Sequence, residues 1–178
     1  MKTIIVFIAC FISINYCFSQ KAIPHTYKII VANDSAPGHI NYEVIAKLSE
    51  PLKAAVAFYT AMGASCEGSF CHINNAFGVS DSNKGGANAL IGKYFPKDSV
   101  AKQIARGGIY VGGEGSSNFT DFVYLTIIDY GNKIKVEYKL IHWSRGPAPS
   151  INGPDTYSFK NNVFNTEKRH LFEWTHRK

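Results

Sequence analysis

The 178-residue chain carries none of the short signatures that announce a common chemistry. It has no G-x-x-x-x-G-K-[ST] phosphate loop, and Gly113-Glu114-Gly115 lacks the third glycine of a dinucleotide fingerprint. No H-E-x-x-H pair places two imidazoles on one helix face, so the usual zinc spacing is missing. G-x-S-x-G is absent as well, with Gly115-Ser116-Ser117 failing the pattern that exposes a serine nucleophile at a sharp turn. There is no internal repeat and no low-complexity tract. These absences leave no metal and no cofactor in the expectation, and they leave the reaction, if there is one, without a name.

Long apolar runs are also missing. The only candidate lies at the start, where Lys2 precedes an apolar stretch from Ile4 to Ile14 broken by Ser13, followed by Cys17-Phe18-Ser19-Gln20. A membrane-spanning helix needs about 20 largely apolar residues, and Asn15 closes this run well short of that. The pattern is that of a secretory signal, with cleavage expected between Ser19 and Gln20. Cys10 follows too short an apolar run, and Cys17 follows bulky Tyr16, so neither suits a lipid anchor. Residues 1–19 therefore read as a signal peptide and residues 20–178 as a single exported domain, periplasmic or extracellular, with no transmembrane segment. A domain of this size buries about 70% of its unfolded surface.

Cysteine is scarce once the signal is set aside: Cys66 and Cys71 remain. In an oxidising compartment a pair this close is expected to form a disulfide, worth about 2 kcal/mol on the chain-entropy account. Four intervening residues is not the two-residue spacing of a thioredoxin-type redox pair, and no second cysteine pair completes a zinc site with His72.

Acidic residues are few in one half only. Residues 20–132 hold nine Lys or Arg against nine Asp or Glu, whereas residues 133–178 hold nine basic against four acidic residues. The excess positive charge of the mature chain thus lies in its last quarter, which suits an anionic glycan or an acidic protein surface. The plainer role of those lysines is to keep exposed strands soluble. Aromatic and basic residues interleave there (Tyr157, Phe159, Lys160, Phe164, Arg169, Trp174, Arg177), a nucleic-acid pattern in a cytosolic protein, but export argues against a nucleic-acid partner.

Along the chain, residues 26–32 read as a strand ended by the turn residues 33–38. Residues 40–48 fit both a strand and a helical stripe, and the strand is the reading taken. Ser49-Glu50-Pro51 opens a helix carrying Leu52, Val56, Tyr59 and Met62, with Gly63 expected as a left-handed exit. Residues 70–79 alternate loosely as a strand. Two short helices follow, over 87–95 and from cap Asp98 to Arg106, with Val100, Ala101 and Ile104 inward. Residues 107–118 hold five glycines and read as a connector or a lid.

The last third is the clearest. Residues 122–129 and 133–143 form a hairpin across Tyr130-Gly131-Asn132, and residues 155–160 pair with 163–174 across Asn161-Asn162. Between the hairpins, residues 146–154 read as a Pro- and Gly-rich loop. The expected fold is α+β, with helices packed on one face of a curved, mainly antiparallel sheet ending in a four-strand meander. NTF2-like and cystatin-like folds share this plan, an analogy of architecture that assigns no function.

Two strand ends concentrate the residues that could carry a function: His142-Trp143-Ser144-Arg145 and Glu173-Trp174-Thr175-His176-Arg177. The leading expectation is a binding domain using Trp143, Arg145, Trp174 and Arg177, because tryptophan and arginine dominate binding hot spots. The rival is a small enzyme with a pocket between helix and sheet. There His142 works as general acid/base with a carboxylate from Asp129, Asp155 or Glu173. A third is an inhibitory or toxin-neutralising partner. Asn33-Asp34-Ser35 and Asn118-Phe119-Thr120 match the N-glycan acceptor pattern, which matters only in a eukaryotic host.

Overall fold

The structure, a computed structural model, describes residues 23–33, 38–63, 73, 86–106, 119–143 and 150–171, with the side chains of 119, 142 and 143 outside the description. The chain enters through β1 (His25–Val31) and a two-residue β2 (His39–Ile40). Four helices follow among the described residues: α1 (Tyr42–Ala46), α2 (Glu50–Gly63), α3 (Gly86–Tyr94) and α4 (Ser99–Ala105). The remainder is strand: β3 (Phe119–Asp129), β4 (Lys133–Trp143), β5 (Ser150–Asn152), β6 (Asp155–Lys160) and β7 (Val163–Lys168).

Turn chemistry sets the pairing. Gly131 has φ of 82°, while Asn161 and Asn162 have 53° and 60°, the positive values that match a tight hairpin to strand twist. The sheet is antiparallel throughout its described pairings, in the order β2-β1-β3-β4-β6-β7. β5 and β6 lie along the same edge of β4 in one continuous register, Lys139 opposite Asn152 and Val136 opposite Asp155. Gly153 keeps that register by donating its N–H to Tyr138 O at 3.0 Å; Pro154, having no N–H, interrupts it. Register shifts between Lys28 and Ile30, Phe122 and Tyr124, and Thr156 and Tyr157 bend the sheet.

The helices cover one face. On β4, Ile134, Val136, Tyr138 and Leu140 are buried, and Lys133, Lys135, Glu137 and Lys139 alternate with them on the other side, the pattern of a half-solvated sheet. α2 is buried from Ala54 to Gly63. A helix apolar all round belongs at the centre of a fold, and its alanines at 54, 55, 57 and 61 let neighbouring elements approach. Around it an aromatic stack joins helix to sheet: Phe58 and Phe95 centroids lie 4.6 Å apart, and Phe95 and Phe164 lie 5.0 Å apart.

Several expectations change here. The stretch 40–48 is helical after Ile40, because the Asn41 side chain accepts from Val44 N and opens α1; Ile45 and Leu48 face the core while Tyr42 and Ala46 are exposed. Gly63 ends α2 without a left-handed backbone. Its hydrogen is needed for space, since a Cβ would stand 2.7 Å from Phe122 Cζ. The expected loop over 146–154 contains β5, and β7 stops at Lys168 rather than running on to Trp174. The signal segment, the Cys66 and Cys71 pair, and the glycine-rich stretch 107–118 lie outside the described residues, as does the strand expected over 70–79 apart from Ile73, which is helical and buried.

Candidate functional site

Asp155 is a carboxylate with no solvent exposure, an arrangement that is costly unless its oxygens are satisfied. It lies on the helix-facing side of β6, two residues before Tyr157 on the same face. The Tyr59 hydroxyl, from the middle of α2, donates to Oδ2 at 2.7 Å. The Tyr138 hydroxyl, from β4, stands 3.3 Å from both oxygens. The backbone N–H of His170 donates to Oδ1 at 3.0 Å, and His170 Nδ1 lies 3.1 Å from the same oxygen. Tyr59 has one hydroxyl proton and directs it to Asp155, so the Tyr157 hydroxyl, 3.0 Å away, donates to the Tyr59 oxygen.

Local sequence permits this convergence at Gly153. A Cβ there would stand 2.7 Å from Tyr138 Cε1 and 2.9 Å from Val136 O. Glycine lets the Tyr138 ring lie across the strand, from where its hydroxyl reaches Asp155 two residues on.

Burial holds the Tyr59 phenol well above its ordinary range, and Tyr157 and Asp155 push it the same way. Burial, then the nearby Asp155, also raises Tyr138. Burial raises Tyr157, with its hydrogen bond to Tyr59 and the Arg169 charge pulling in the opposite direction. All three phenols therefore remain neutral donors through the physiological range.

A second buried pair lies beside the first. Asp98 caps α4 through Oδ1, which accepts from Val100 N and Ala101 N at 2.9 and 3.0 Å. Its Oδ2 accepts from Arg169 Nη1 at 2.6 Å and from the Thr166 hydroxyl at 2.8 Å. The two side chains are 6% and 12% exposed, in the order Asp98 and Arg169, and the guanidinium lies 5.5 Å from the Phe58 ring centre. Consecutive residues Arg169 and His170 thus tie the end of β7 to α4 and to β6, and Leu171 is buried behind them.

The opposite face of the sheet is basic. Cross-strand register places Lys28, Lys133, Lys135, Lys139, Lys160 and Lys168 on the side away from the helices, along with Glu137, Glu167 and the buried Asp121. Lys133 pairs with Glu167 and Lys135 with Glu137. No described ion pair engages Lys28, Lys139, Lys160 or Lys168.

Of the expected residues whose side chains are described, Asp129 and Asp155, the second is in a buried polar cluster, and the imidazole bonded to it is that of His170. His142 pairs through its backbone with Thr120. Asp155 is opposite Val136, six residues back along β4, which is about 20 Å at the usual strand rise. Asp129 is further still, opposite Ile134, and its carboxylate accepts from Gly131 N at 2.7 Å as a turn residue. Trp143 pairs through its backbone with Phe119; its side chain, like that of His142, and residues Arg145, Glu173, Trp174 and Arg177 lie outside the described residues. Tyr59, Tyr138, Tyr157 and His170 were missed because nothing in local spacing links a helix at 59 to strands a hundred residues later. The one available signal was the inward parity shared by Tyr138, Asp155 and Tyr157.

Among the described residues no group of three or more His, Cys, Asp or Glu could hold a metal, and no helix is long and apolar enough to cross a membrane. No protein-family model, curated protein or solved structure matches this chain.

Proposed function

We propose that the chain is an exported binding domain that docks a linear anionic glycan on the outer face of its sheet. The observation that carries this reading is the lysine array on that face, six lysines against two glutamates and the buried Asp121, with four of the lysines outside any described ion pair. Lys135 and Lys139 repeat along one strand about 13 Å apart, and Lys28 and Lys168 extend the array across β1 and β7. Such spacing suits a chain of sulfate or carboxylate groups. Lysine is depleted from protein–protein interfaces, which favours the polyelectrolyte over an acidic protein surface. Trp143, Arg145, Trp174 and Arg177, in the same basic quarter of the sequence, belong to the proposal as hot-spot residues. Export after Ser19 and a Cys66–Cys71 disulfide belong to it too, because a secreted glycan is met only outside the cytosol.

The test is retention on immobilised heparin in a salt gradient. The combined variant Lys28→Ala, Lys139→Ala, Lys168→Ala should elute at clearly lower salt than the parent, and Arg145→Ala with Arg177→Ala should add to the loss. Unchanged elution of the lysine variant sinks the sheet-face reading. Stronger retention on immobilised polyglutamate than on heparin would move the assignment to an acidic protein partner.

A further inference from the structure

We propose that His170 is a proton-acceptor site for a hydroxyl-bearing ligand, with Asp155 as its positioning residue. The inference is independent of the glycan reading and rests on hydrogen-bond accounting around one carboxylate.

Three donors other than the imidazole converge on Asp155: the Tyr59 and Tyr138 hydroxyls and the His170 backbone N–H. The Tyr59 hydroxyl is directed at Oδ2 and the His170 backbone N–H at Oδ1, so each carboxylate oxygen already has a donor. As a carboxylate Asp155 accepts at both oxygens, and in that arrangement Nδ1 of His170, 3.1 Å from Oδ1, bonds to it by donating. A neutral imidazole carries one N–H, so Nε2 keeps its lone pair. The His170 side chain is 40% exposed while its partner is fully buried, so the imidazole meets solvent on the side away from the carboxylate it is bonded to.

The ring is held in place from three sides. One oxygen of Asp155 receives both the backbone N–H and Nδ1 of the same residue, which fixes backbone and ring together. Arg169 is anchored on Asp98 immediately before, and Leu171 is buried immediately after. Preorganisation of this kind distinguishes a working base from a surface histidine. In the proposed step the ligand O–H bond breaks, its proton passes to Nε2, and the electron pair stays on the ligand oxygen. The imidazolium so formed is balanced by the ionised Asp155 behind it.

The tautomer is the decisive observable, because an unconstrained imidazole favours the N–H on Nε2. Long-range proton–nitrogen spectra of the full chain labelled in histidine nitrogen, at a pH where the ring is neutral, should show His170 protonated at Nδ1 and bare at Nε2. Tyr138→Phe should keep that pattern, and Asp155→Asn should lose it. Phenol, a hydroxyl donor, should shift the Nε2 resonance, whereas anisole, its methyl ether, should not. A wild-type ring protonated at Nε2 overturns the proposal, and so does an equal response, or none, to the two probes. Both readings use the wild-type protein, so a poorly folding Asp155→Asn variant would not remove the test.

Discussion

The Tyr59 hydroxyl stands 2.7 Å from a carboxylate oxygen of Asp155, although 96 positions separate the two residues in the chain. That contact joins the central helix to the strand that follows Gly153-Pro154, and the other groups of the interior polar cluster gather around it. Its energetic weight is measurable. Asp155→Ala would leave two buried phenols and a backbone N–H without their acceptor, at about 1–3 kcal/mol for each group left unsatisfied. A loss of about 3 kcal/mol or more in urea unfolding is expected. Tyr59→Phe should cost less, and a double-mutant cycle between Tyr59→Phe and Asp155→Asn should show a coupling of about 0.5–3 kcal/mol.

Alkaline pH should destabilise the protein in a defined window. Tyr59, Tyr138 and Tyr157 all have raised values in the folded state, whereas in the unfolded chain each ionises near about 10. The folded state therefore holds more protons above that point, and stability falls as pH rises. Their contribution is complete below pH about 10 and is lost progressively above it. Unfolding midpoints should stay level, as far as these groups are concerned, up to that pH and then drop. Phenolate absorbance from the three should appear together with unfolding. Early titration of these residues in the folded protein would contradict the closed cluster.

Gly153→Ala should act through Tyr138. The added methyl group meets the ring at 2.7 Å, and overpacking of this kind costs about 1–3 kcal/mol. The expected signature is a loss of stability together with a weakened Tyr138 contribution. In a Gly153→Ala background, Tyr138→Phe should cost less than it does in the parent.

Asp98 serves a helix cap and an ion pair at once. Asp98→Ala removes both, and about 2–4 kcal/mol is expected from a cap worth about 1 kcal/mol and a largely buried charge contact. Asp98→Asn keeps an oxygen for Val100 N and Ala101 N and should be milder. Equal losses for the two variants would show that the cap of Asp98 contributes nothing beyond its charge.

Local chemistry made much of the architecture legible. The hairpin turns at Gly131 and at Asn161-Asn162 were readable because only a few residue types accept positive φ. The faces of β4 were readable because side chains alternate with a period of two, and α4 because Asp98 caps it at the expected position. Where two periods overlapped, over residues 40–48, the side chain of Asn41 decided for helix, a local cue that the strand reading passed over. The end of β7 was not readable in this way. Residues 163–174 continue in a strand-like pattern, yet Arg169 and His170 leave the ladder because two carboxylates distant in sequence bind them more favourably than another strand pair would.

The sequence by itself determined the α+β class, the two C-terminal hairpins and the basic excess of residues 133–178. All of these rest on turn conformations, on side-chain period or on composition, which act within a few residues. Tertiary structure alone decided that the imidazole beside Asp155 is His170, and that Gly63 and Gly153 are present for space rather than for backbone freedom. Those outcomes depend on which distant side chains are brought within about 3 Å of a buried charge, the range over which hydrogen bonds act. Packing of the whole chain sets that distance, and no local pattern encodes it.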